Sequence, residues 1–215
     1  MTSLDVRVFS VDLDQPADVV ERLDGLLPEA ERDAPPPIRI ARAAARLVLA
    51  DALGVEPIAV GISRECMHCG DPAHGRPRVT GDRSISFSLS HSDAFAVVAL
   101  ADGDVRVGID CEVVKARTRI DELAARVLSD EAHAAWLSIA DADERLRSFL
   151  RTWTAKEAYL KALGIGITTA LRDVPSAVEG WCIRPLDVGE ACVGTIAVDH
   201  RDIEIRASVL ALRAS

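Results

Sequence analysis

The stretch Val105-Arg106-Val107-Gly108-Ile109-Asp110-Cys111-Glu112 alternates apolar and polar residues, which is the pattern of a half-buried β-strand. Successive side chains of a strand point to opposite faces, so Asp110 and Glu112 share one face, roughly 7 Å apart at the backbone. From that spacing both carboxylates can converge on one cation. Taken alone, an Asp-x-Glu pair is more typical of a solvated strand face, so the choice depends on the rest of the chain.

A long helix is predicted from Arg145 to Leu163, with Gly164 placed to end it as a C-cap. Its apolar stripe is formed by Leu146, Phe149 or Leu150, Trp153, Leu160 and Leu163. Glu157 takes a position that should continue this stripe, and a buried carboxylate needs a partner because an unpaired buried charge is costly. That partner is either Lys161, four residues on, in a salt bridge, or a metal ion shared with the two strand carboxylates. Three carboxylates without a convincing His or Cys partner suit a hard ion such as Mg²⁺.

The remaining elements repeat one plan in each half of the chain. Helices are predicted at 17–27, 39–53, 119–127 and 130–140, and strands at 4–13, 84–90, 95–100, 105–112, 180–183, 192–198 and 203–210. Asp102-Gly103-Asp104 predicts a hairpin between the strands at 95–100 and 105–112. We therefore expect an α+β fold that is pseudo-dimeric, with a long helix packed on a small, mainly antiparallel sheet in each half. The halves are placed at 1–112 and 113–215, within one compact unit.

Composition narrows the class of protein. The chain has 215 residues, 49% of them hydrophobic, which predicts a globular protein rather than a disordered one. Its apolar runs are too short to cross a bilayer, and its first residues lack a signal-peptide pattern, so we expect a cytoplasmic protein without membrane contact. We also expect a monomer. The net charge of −9 argues against nucleic-acid binding. Five cysteines, an odd number, favour free thiols over a disulfide framework.

Two motifs together carry a family resemblance. Val107-Gly108-Ile109-Asp110-Cys111-Glu112, followed about 40 residues later by Trp153-Thr154-Ala155-Lys156-Glu157-Ala158-Tyr159-Leu160-Lys161-Ala162-Leu163-Gly164, resembles the paired signatures of the 4′-phosphopantetheinyl transferases. The length and the two-half plan are similar to the Sfp type, the larger, synthase-activating class. The resemblance extends from about residue 27 to 170. It implies Mg²⁺-dependent transfer of 4′-phosphopantetheine from coenzyme A to a serine of an acyl or peptidyl carrier protein, converting apo to holo carrier in polyketide, nonribosomal peptide or fatty acid biosynthesis.

The resemblance also implies roles for the residues of the two motifs. Asp110, Glu112 and Glu157 would hold Mg²⁺, and Lys161 would meet the pyrophosphate of coenzyme A. Lys156 would belong to the same electrostatic field at the cofactor. The carrier serine is a weak nucleophile that needs a base, and Glu157 is the best candidate. Glu157 and Lys161 are therefore the expected catalytic residues.

Further cofactor-binding residues follow from the N-terminal half. Ser88-Leu89-Ser90-His91-Ser92 resembles the family's Ser-His turn, so Ser90 and His91 would grip the 3′-phosphate end of coenzyme A. Gly75-Arg76-Pro77 resembles a Gly-Lys-Pro segment along the adenine and phosphates, with Arg76 in place of Lys. On the helix at 39–53, Arg39 and Arg42 are candidates for the 3′-phosphate, and Arg42 is the better of the two. Arg46 on the same face is interpreted as structural.

Three other interpretations stay open. A Mg²⁺-dependent phosphohydrolase would use the same three carboxylates. Cys66-Met67-His68-Cys69, with His74 nearby, resembles half of a zinc knuckle, although a structural zinc site normally has four ligands. Lys115, Arg117 and Arg119 form a basic cluster after the carboxylate strand, and we expect it to dock an acidic carrier protein.

Overall fold

The computed structural model describes residues 3–64, 70, 75–116, 119–165, 171–175 and 177–212. The strands are Leu4–Asp12 (β1), Ile62–Ser63 (β2), Arg78–Val79 (β3), Ile85–Ser92 (β4), Phe95–Asp102 (β5), Val107–Val113 (β6), Cys182–Leu186 (β7), Cys192–Val198 (β8) and Ile203–Val209 (β9). The helices are Ala17–Asp24 (α1), Glu29–Arg32 (α2), Pro36–Leu53 (α3), Ile120–Val127 (α4), Asp130–Leu137 (α5) and Ala142–Leu163 (α6), with 3₁₀ turns at Pro57–Ala59 and Leu171–Asp173.

The strands form two larger sheets and one small one. The first sheet has the order β4-β5-β1-β9, the second has the order β6-β8-β7, and β2 pairs with β3. In these sheets only the β1–β9 pairing of the described strands is parallel. The predicted α+β class with mainly antiparallel sheets is confirmed. The pseudo-dimeric relation between the halves stays a prediction.

The two larger sheets pack against each other, and each carries a long helix on its other face. Val6, Val97 and Ala99 of the first sheet share one apolar core with Ile109 and Ile196 of the second. Because neighbouring strand residues face opposite ways, the alternate residues of β4 and β5 pack on α3 instead. Helix α6 covers the second sheet, packing Ala158 and Ala162 on β8. The order of layers is therefore helix, sheet, sheet, helix.

The long helices end where the sequence predicts and begin earlier. Gly54 and Gly164 close α3 and α6 in the left-handed conformation, at φ 72° and 73°. Helix α3 begins at Pro36, because proline is tolerated in the first turn, where its missing N–H has no intrahelical acceptor. Helix α6 begins after Asp141, whose side chain accepts the Glu144 N–H at 2.8 Å. Both starts lie three residues before the predicted ones, Arg39 and Arg145.

Two strands pair differently from the prediction. The Asp102-Gly103-Asp104 hairpin between β5 and β6 is wrong: β5 is already paired with β4 on one side and β1 on the other, so it has no free edge. The hairpin lies instead at 93–94, where Ser92 pairs with Phe95. Strand β6 joins the second sheet, and β9 returns to the first. The predicted halves, 1–112 and 113–215, thus contribute strands to each other's sheets.

No helix in the described ranges is both long enough and apolar enough to cross a membrane. Cys111, Cys182 and Cys192, the cysteines within those ranges, are free. This agrees with the expectation of free thiols at these three positions.

Candidate active site

The site begins with a close approach between β6 and α6. Gly108 of β6 faces the helix, and a Cβ at this position would lie 2.0 Å from the Ala158 carbonyl oxygen and 2.5 Å from the Ala162 backbone nitrogen. Only glycine allows the two backbones to come this close. Asp110 is the next residue on the same face of the strand, so this contact brings it beside the helix residues Glu157 and Lys161.

Asp110 is buried, and within the described part of the chain one of its two carboxylate oxygens accepts hydrogen bonds. Its Oδ1 accepts hydrogen bonds from Ser90 Oγ and Lys161 Nζ, both at 2.7 Å. Its Oδ2 is buried and has no hydrogen-bond partner within the described part of the chain. Burial raises the pKa of Asp110, and Lys161 and Ser90 oppose this shift.

Glu157 is also buried, with 8% of the residue exposed. Among the described residues its Oε1 has no hydrogen-bond partner. Burial, followed by the charges of Asp110 and Glu112, raises the pKa of Glu157, while Lys161 lowers it. The ion pair of Lys161 is formed with Asp110, not with Glu157. The geometry therefore does not support the interpretation of Glu157 as the salt-bridge partner of Lys161.

Glu112 completes the carboxylate cluster, by which we mean Asp110, Glu112 and Glu157. Glu112 is half-buried and accepts a hydrogen bond from Ser92 Oγ at 2.8 Å. Its charge raises the pKa of both other carboxyls, so the three share one electrostatic field. Within the described ranges no three His, Cys, Asp or Glu side chains are arranged as a ready-made metal site. The two unpartnered buried oxygens nevertheless fit a hard divalent cation, which would remove the cost of burying them unpaired.

A cavity of about 380 Å³ lies next to the cluster, between α3, β4 and the end of α6. Its walls include residues of the segment 75–77 and both long helices: Ile38, Ala41, Arg42, Arg64, Gly75, Arg76, Pro77, Phe87, Ser88, Leu89, His91, Lys161 and Gly164. Lys161 belongs to the cavity and to the carboxylate cluster. Together with Arg42 and Arg64 it gives the cavity a positive lining on a chain of net charge −9. An anionic ligand matches this lining.

His91 is at the end of β4 and lines the cavity, and its predicted role at the cofactor stays a prediction. It is a strand residue rather than a turn residue, since the turn follows at 93–94. Although the residue as a whole is exposed, partial desolvation of its ring lowers the pKa of His91, and Lys161 and Arg42 lower it further. Ser90, by contrast, does not line the cavity; its hydroxyl bonds Asp110 and Lys161.

Several predicted residues have other partners. Arg39 forms an ion pair with Asp24 and does not line the cavity. Arg46 is buried and donates to the Val60 carbonyl at 2.7 Å, in agreement with the structural role predicted for it. Lys156 is placed away from the cluster, although it is the sequence neighbour of Glu157. Its ammonium is buried and donates to the backbone carbonyls of Val127, Leu171 and Arg172.

Arg76 lines the cavity, but its guanidinium is directed to the backbone. It donates to the carbonyls of Ala162, at 3.1 Å, and Val105, at 3.3 Å. Burial lowers the pKa of Arg76. Arg64 was not predicted; its position on the cavity depends on the path of the chain after β2, for which the sequence carries no periodic signal. Burial and the charge of Arg42 lower the pKa of Arg64.

The remaining candidates are partly outside the described residues. Cys66, His68, Cys69 and His74 lie there, so the zinc interpretation stays a prediction. Of the basic cluster, Arg117 lies there too. Lys115 donates to Asp93 at 2.6 Å, and Arg119 forms an ion pair with Glu122.

Comparison with known proteins agrees with the site. Residues 106–188, which include the whole carboxylate cluster and Lys161, match the sequence model described as the 4′-phosphopantetheinyl transferase superfamily. Over this part of the chain, which holds the candidate site, the protein is similar to enzymes of the phosphopantetheinyl transferase class.

Individual relatives carry the same description. The chain is 29% identical over 226 residues to 4′-phosphopantetheinyl transferase HetI of Nostoc sp., covering 92% of this chain and 89% of the relative. It is 30% identical over 170 residues to 4′-phosphopantetheinyl transferase pptA of Paxillus involutus, covering 64% of each. It is 36% identical over 94 residues to 4′-phosphopantetheinyl transferase gsp of Aneurinibacillus migulanus, covering 44% of this chain and 37% of the relative.

Proposed function

We propose that this enzyme transfers 4′-phosphopantetheine from coenzyme A to a serine of an acyl or peptidyl carrier protein, with Mg²⁺ held by Asp110, Glu112 and Glu157. One observation carries the proposal: the carboxylate cluster, with two buried oxygens that have no hydrogen-bond partner among the described residues, adjoins a cavity lined by cations. Lys161 connects the two, since it lines the cavity and lies 2.7 Å from Asp110.

The cavity supports coenzyme A as the donor. Coenzyme A carries a pyrophosphate and a 3′-phosphate, so its site needs local positive charge on an otherwise acidic protein. This charge is supplied from three separate parts of the chain, by Arg42 of α3, Arg64 just after β2 and Lys161 of α6. His91 lies on the same cavity, and its ring can donate a hydrogen bond to phosphate in the neutral form as well.

The carboxylate cluster supports a hard divalent cation. When bound, Mg²⁺ would supply positive charge at the pyrophosphate and orient it. Asp110 and Glu157 would contribute their unpartnered oxygens, Oδ2 and Oε1. Glu112 lies two residues from Asp110 on the same strand face and would be the third ligand.

Side chains of the enzyme accept the serine proton and stabilise the leaving group. The carrier serine oxygen attacks the phosphorus that bears the pantetheine arm, and the bond from this phosphorus to the bridging oxygen of the nucleotide phosphate breaks. Glu157 accepts the serine proton, because the serine hydroxyl is a weak nucleophile that needs a base. The ammonium of Lys161 stabilises the negative charge that develops on the departing phosphate.

Intact mass spectrometry tests the proposal. Candidate apo carrier domains are incubated with the enzyme, coenzyme A and Mg²⁺, and a serine-to-alanine carrier is the matched control. We expect the carrier to gain the mass of the phosphopantetheine arm and the control to gain none. Cleavage of coenzyme A without a mass gain on any carrier would instead support the phosphohydrolase alternative.

Docking of the carrier through the basic cluster 115–119 is a further part of the proposal. Lys115 and Arg119 are each paired with an acidic side chain, so their charge is partly neutralised within the enzyme. We expect charge reversal at Arg117 and Arg119 to raise the KM for the carrier at low salt, since electrostatic steering is screened by ions. An unchanged KM would show that the carrier docks elsewhere.

A further inference from the structure

The two larger sheets are joined at one edge by a row of serine side chains. Strand β4 carries Ser86, Ser88, Ser90 and Ser92 at alternate positions, so all four hydroxyls point to one side. Strand β6 runs along that side. We call these four residues the serine row.

Three members of the serine row accept backbone N–H groups, two from β6 and one from Val105 just before it. Ser86 Oγ accepts the Val105 N–H at 3.2 Å, Ser88 Oγ accepts the Ile109 N–H at 3.1 Å, and Ser92 Oγ accepts the Val113 N–H at 3.2 Å. Strand β6 is at the edge of its sheet, so these N–H groups would otherwise lack a strand partner. The row therefore fixes the position of β6 along β4.

Two members of the serine row also hold carboxylates. Ser90 Oγ donates to Asp110 Oδ1 at 2.7 Å, and Ser92 Oγ donates to Glu112 Oε2 at 2.8 Å. Ser92 thus accepts a hydrogen bond from the backbone of β6 and donates one to a side chain of the same strand. A hydroxyl that is bound on both sides cannot rotate freely, so it fixes the direction of the carboxylate.

We infer that Ser90 and Ser92 are positioning residues that orient Asp110 and Glu112 for the cation before it binds. This inference rests on the proposed function, because it assigns a role towards the proposed Mg²⁺ site. Each hydroxyl donates a hydrogen bond to one oxygen of its carboxylate and so fixes the orientation of the carboxylate group. At Asp110 the other oxygen, Oδ2, has no hydrogen-bond partner among the described residues. Hydrogen bonds to metal-binding carboxylates commonly set metal affinity, and their loss costs about 10–100-fold in affinity or activity.

Ser92 is the better test residue, since Ser90 also accepts a hydrogen bond from Lys161. Ser92→Ala removes the hydroxyl, and Ser92→Thr keeps it. Ser86→Ala is the matched control, because Ser86 belongs to the same row but, among the described residues, its hydroxyl bonds the backbone at Gly103 and Val105 and no carboxylate. Circular dichroism and thermal unfolding check that each variant is folded.

The measurement is calorimetric titration of Mg²⁺ into each protein saturated with coenzyme A, with no carrier present. We expect the Kd for Mg²⁺ to rise about 10-fold or more in Ser92→Ala and to stay within about twofold in Ser86→Ala and Ser92→Thr. The Mg²⁺ concentration for half-maximal transfer should shift in parallel. Equal Kd values for Ser92→Ala and Ser86→Ala would overturn this inference alone. Absence of Mg²⁺ binding by the wild-type protein would overturn the proposed function together with it.

Discussion

At the scale of single residues, the most specific prediction concerns the substitution of Glu157. Glu157 is a buried carboxylate on an otherwise apolar helix stripe, and its Oε1 has no partner in the described part of the chain. Glu157→Gln keeps the size and removes the charge. We expect the fold to persist, the Mg²⁺ requirement to rise and transfer to fall by about 10²-fold or more, the scale of losing one preorganised charged group.

The measurement is the initial rate of carrier modification, followed by intact mass over a series of Mg²⁺ concentrations. Glu144→Gln is a suitable control, since Glu144 belongs to the same helix but is exposed and paired with Arg151. A wild-type rate and Mg²⁺ optimum in Glu157→Gln would exclude both the ligand role and the base role of Glu157.

The raised pKa of Glu157 predicts the pH dependence of stability without Mg²⁺. A carboxyl with a raised pKa binds more protons in the folded state than in the unfolded state, so its contribution to the free energy of unfolding falls as pH rises through the folded pKa. We expect wild-type protein to lose stability relative to Glu157→Gln as pH rises above 4.5, the ordinary pKa of a glutamate side chain. Urea unfolding of both proteins at several pH values measures this difference. A constant difference across the range would contradict the prediction.

The residues of the site differ in how far the sequence reveals them. Strand alternation places Asp110 and Glu112 on one face, and the interrupted helix stripe identifies Glu157, because both patterns are local. The partner of Lys161 is Asp110, 51 positions away, and no local pattern predicts such a pair. The partners of Lys156 could not be predicted from local sequence either, since they are carbonyls of a helix end and a 3₁₀ turn outside its own helix.

At the scale of elements, the contact between β6 and α6 holds the site together. Gly108→Ala would place a methyl group against the backbone of α6, which cannot move aside as a side chain can. We expect a loss of about 1–3 kcal/mol in the free energy of unfolding, typical of overpacking, and a higher Mg²⁺ concentration for half-maximal transfer.

Gly194→Ala is the control for this substitution. Gly194 lies on the neighbouring strand β8, and the nearest atoms to a Cβ there are side-chain atoms, the methyl groups of Val188 at 3.2 Å and the Cβ of Leu186 at 3.5 Å. Urea unfolding of the two variants should therefore show a clearly larger loss for Gly108→Ala. Equal losses would mean that the β6–α6 distance is not set by Gly108.

Arg76 connects elements from both ends of the site. Its guanidinium donates to the last turn of α6, at Ala162, and to Val105 before β6. Arg76→Ala should reduce the free energy of unfolding by about 1.5–3 kcal/mol per lost hydrogen bond from a charged donor. Because these contacts involve no phosphate, we expect Arg76→Ala to weaken the binding of coenzyme A and of dephospho-coenzyme A equally. His91→Ala should weaken the binding of coenzyme A more than that of dephospho-coenzyme A. Calorimetry with the two ligands measures both effects. A selective loss of coenzyme A in Arg76→Ala would place its guanidinium at the 3′-phosphate.

The strand pairings are the part of the fold that could not be predicted from the sequence. Helix ends and strand positions follow from local sequence, and Gly164 has the capping role predicted for it. Which strands become neighbours is decided by burial across the whole chain. The Asp-Gly-Asp sequence at 102–104 is typical of a hairpin turn, but both edges of β5 are paired with other strands, β4 and β1.

At the scale of the whole molecule, the chain crosses between its two sheets twice. Strand β6 leaves the first half to pair with β8, from Val107–Val198 to Val113–Cys192. Strand β9 returns from the second half to pair with β1, from Leu4–Ile203 to Ser10–Val209. Both crossings bring residues of the two sheets into one apolar core. Neither half can therefore complete its sheet alone.

This exchange of strands predicts that the fragments 1–112 and 113–215 do not fold separately. The first would leave β1 without β9 and expose the faces of Val6, Val97 and Ala99 that pack on the second sheet. The second would leave β8 without β6. Circular dichroism and urea unfolding of each fragment should show no cooperative transition, while the full chain unfolds in one, since its core is shared. A cooperative transition in the 1–112 fragment would mean that the first sheet is stable without β9. Recovery of near-ultraviolet circular dichroism on mixing the fragments would be expected, because the missing strands are then supplied in trans.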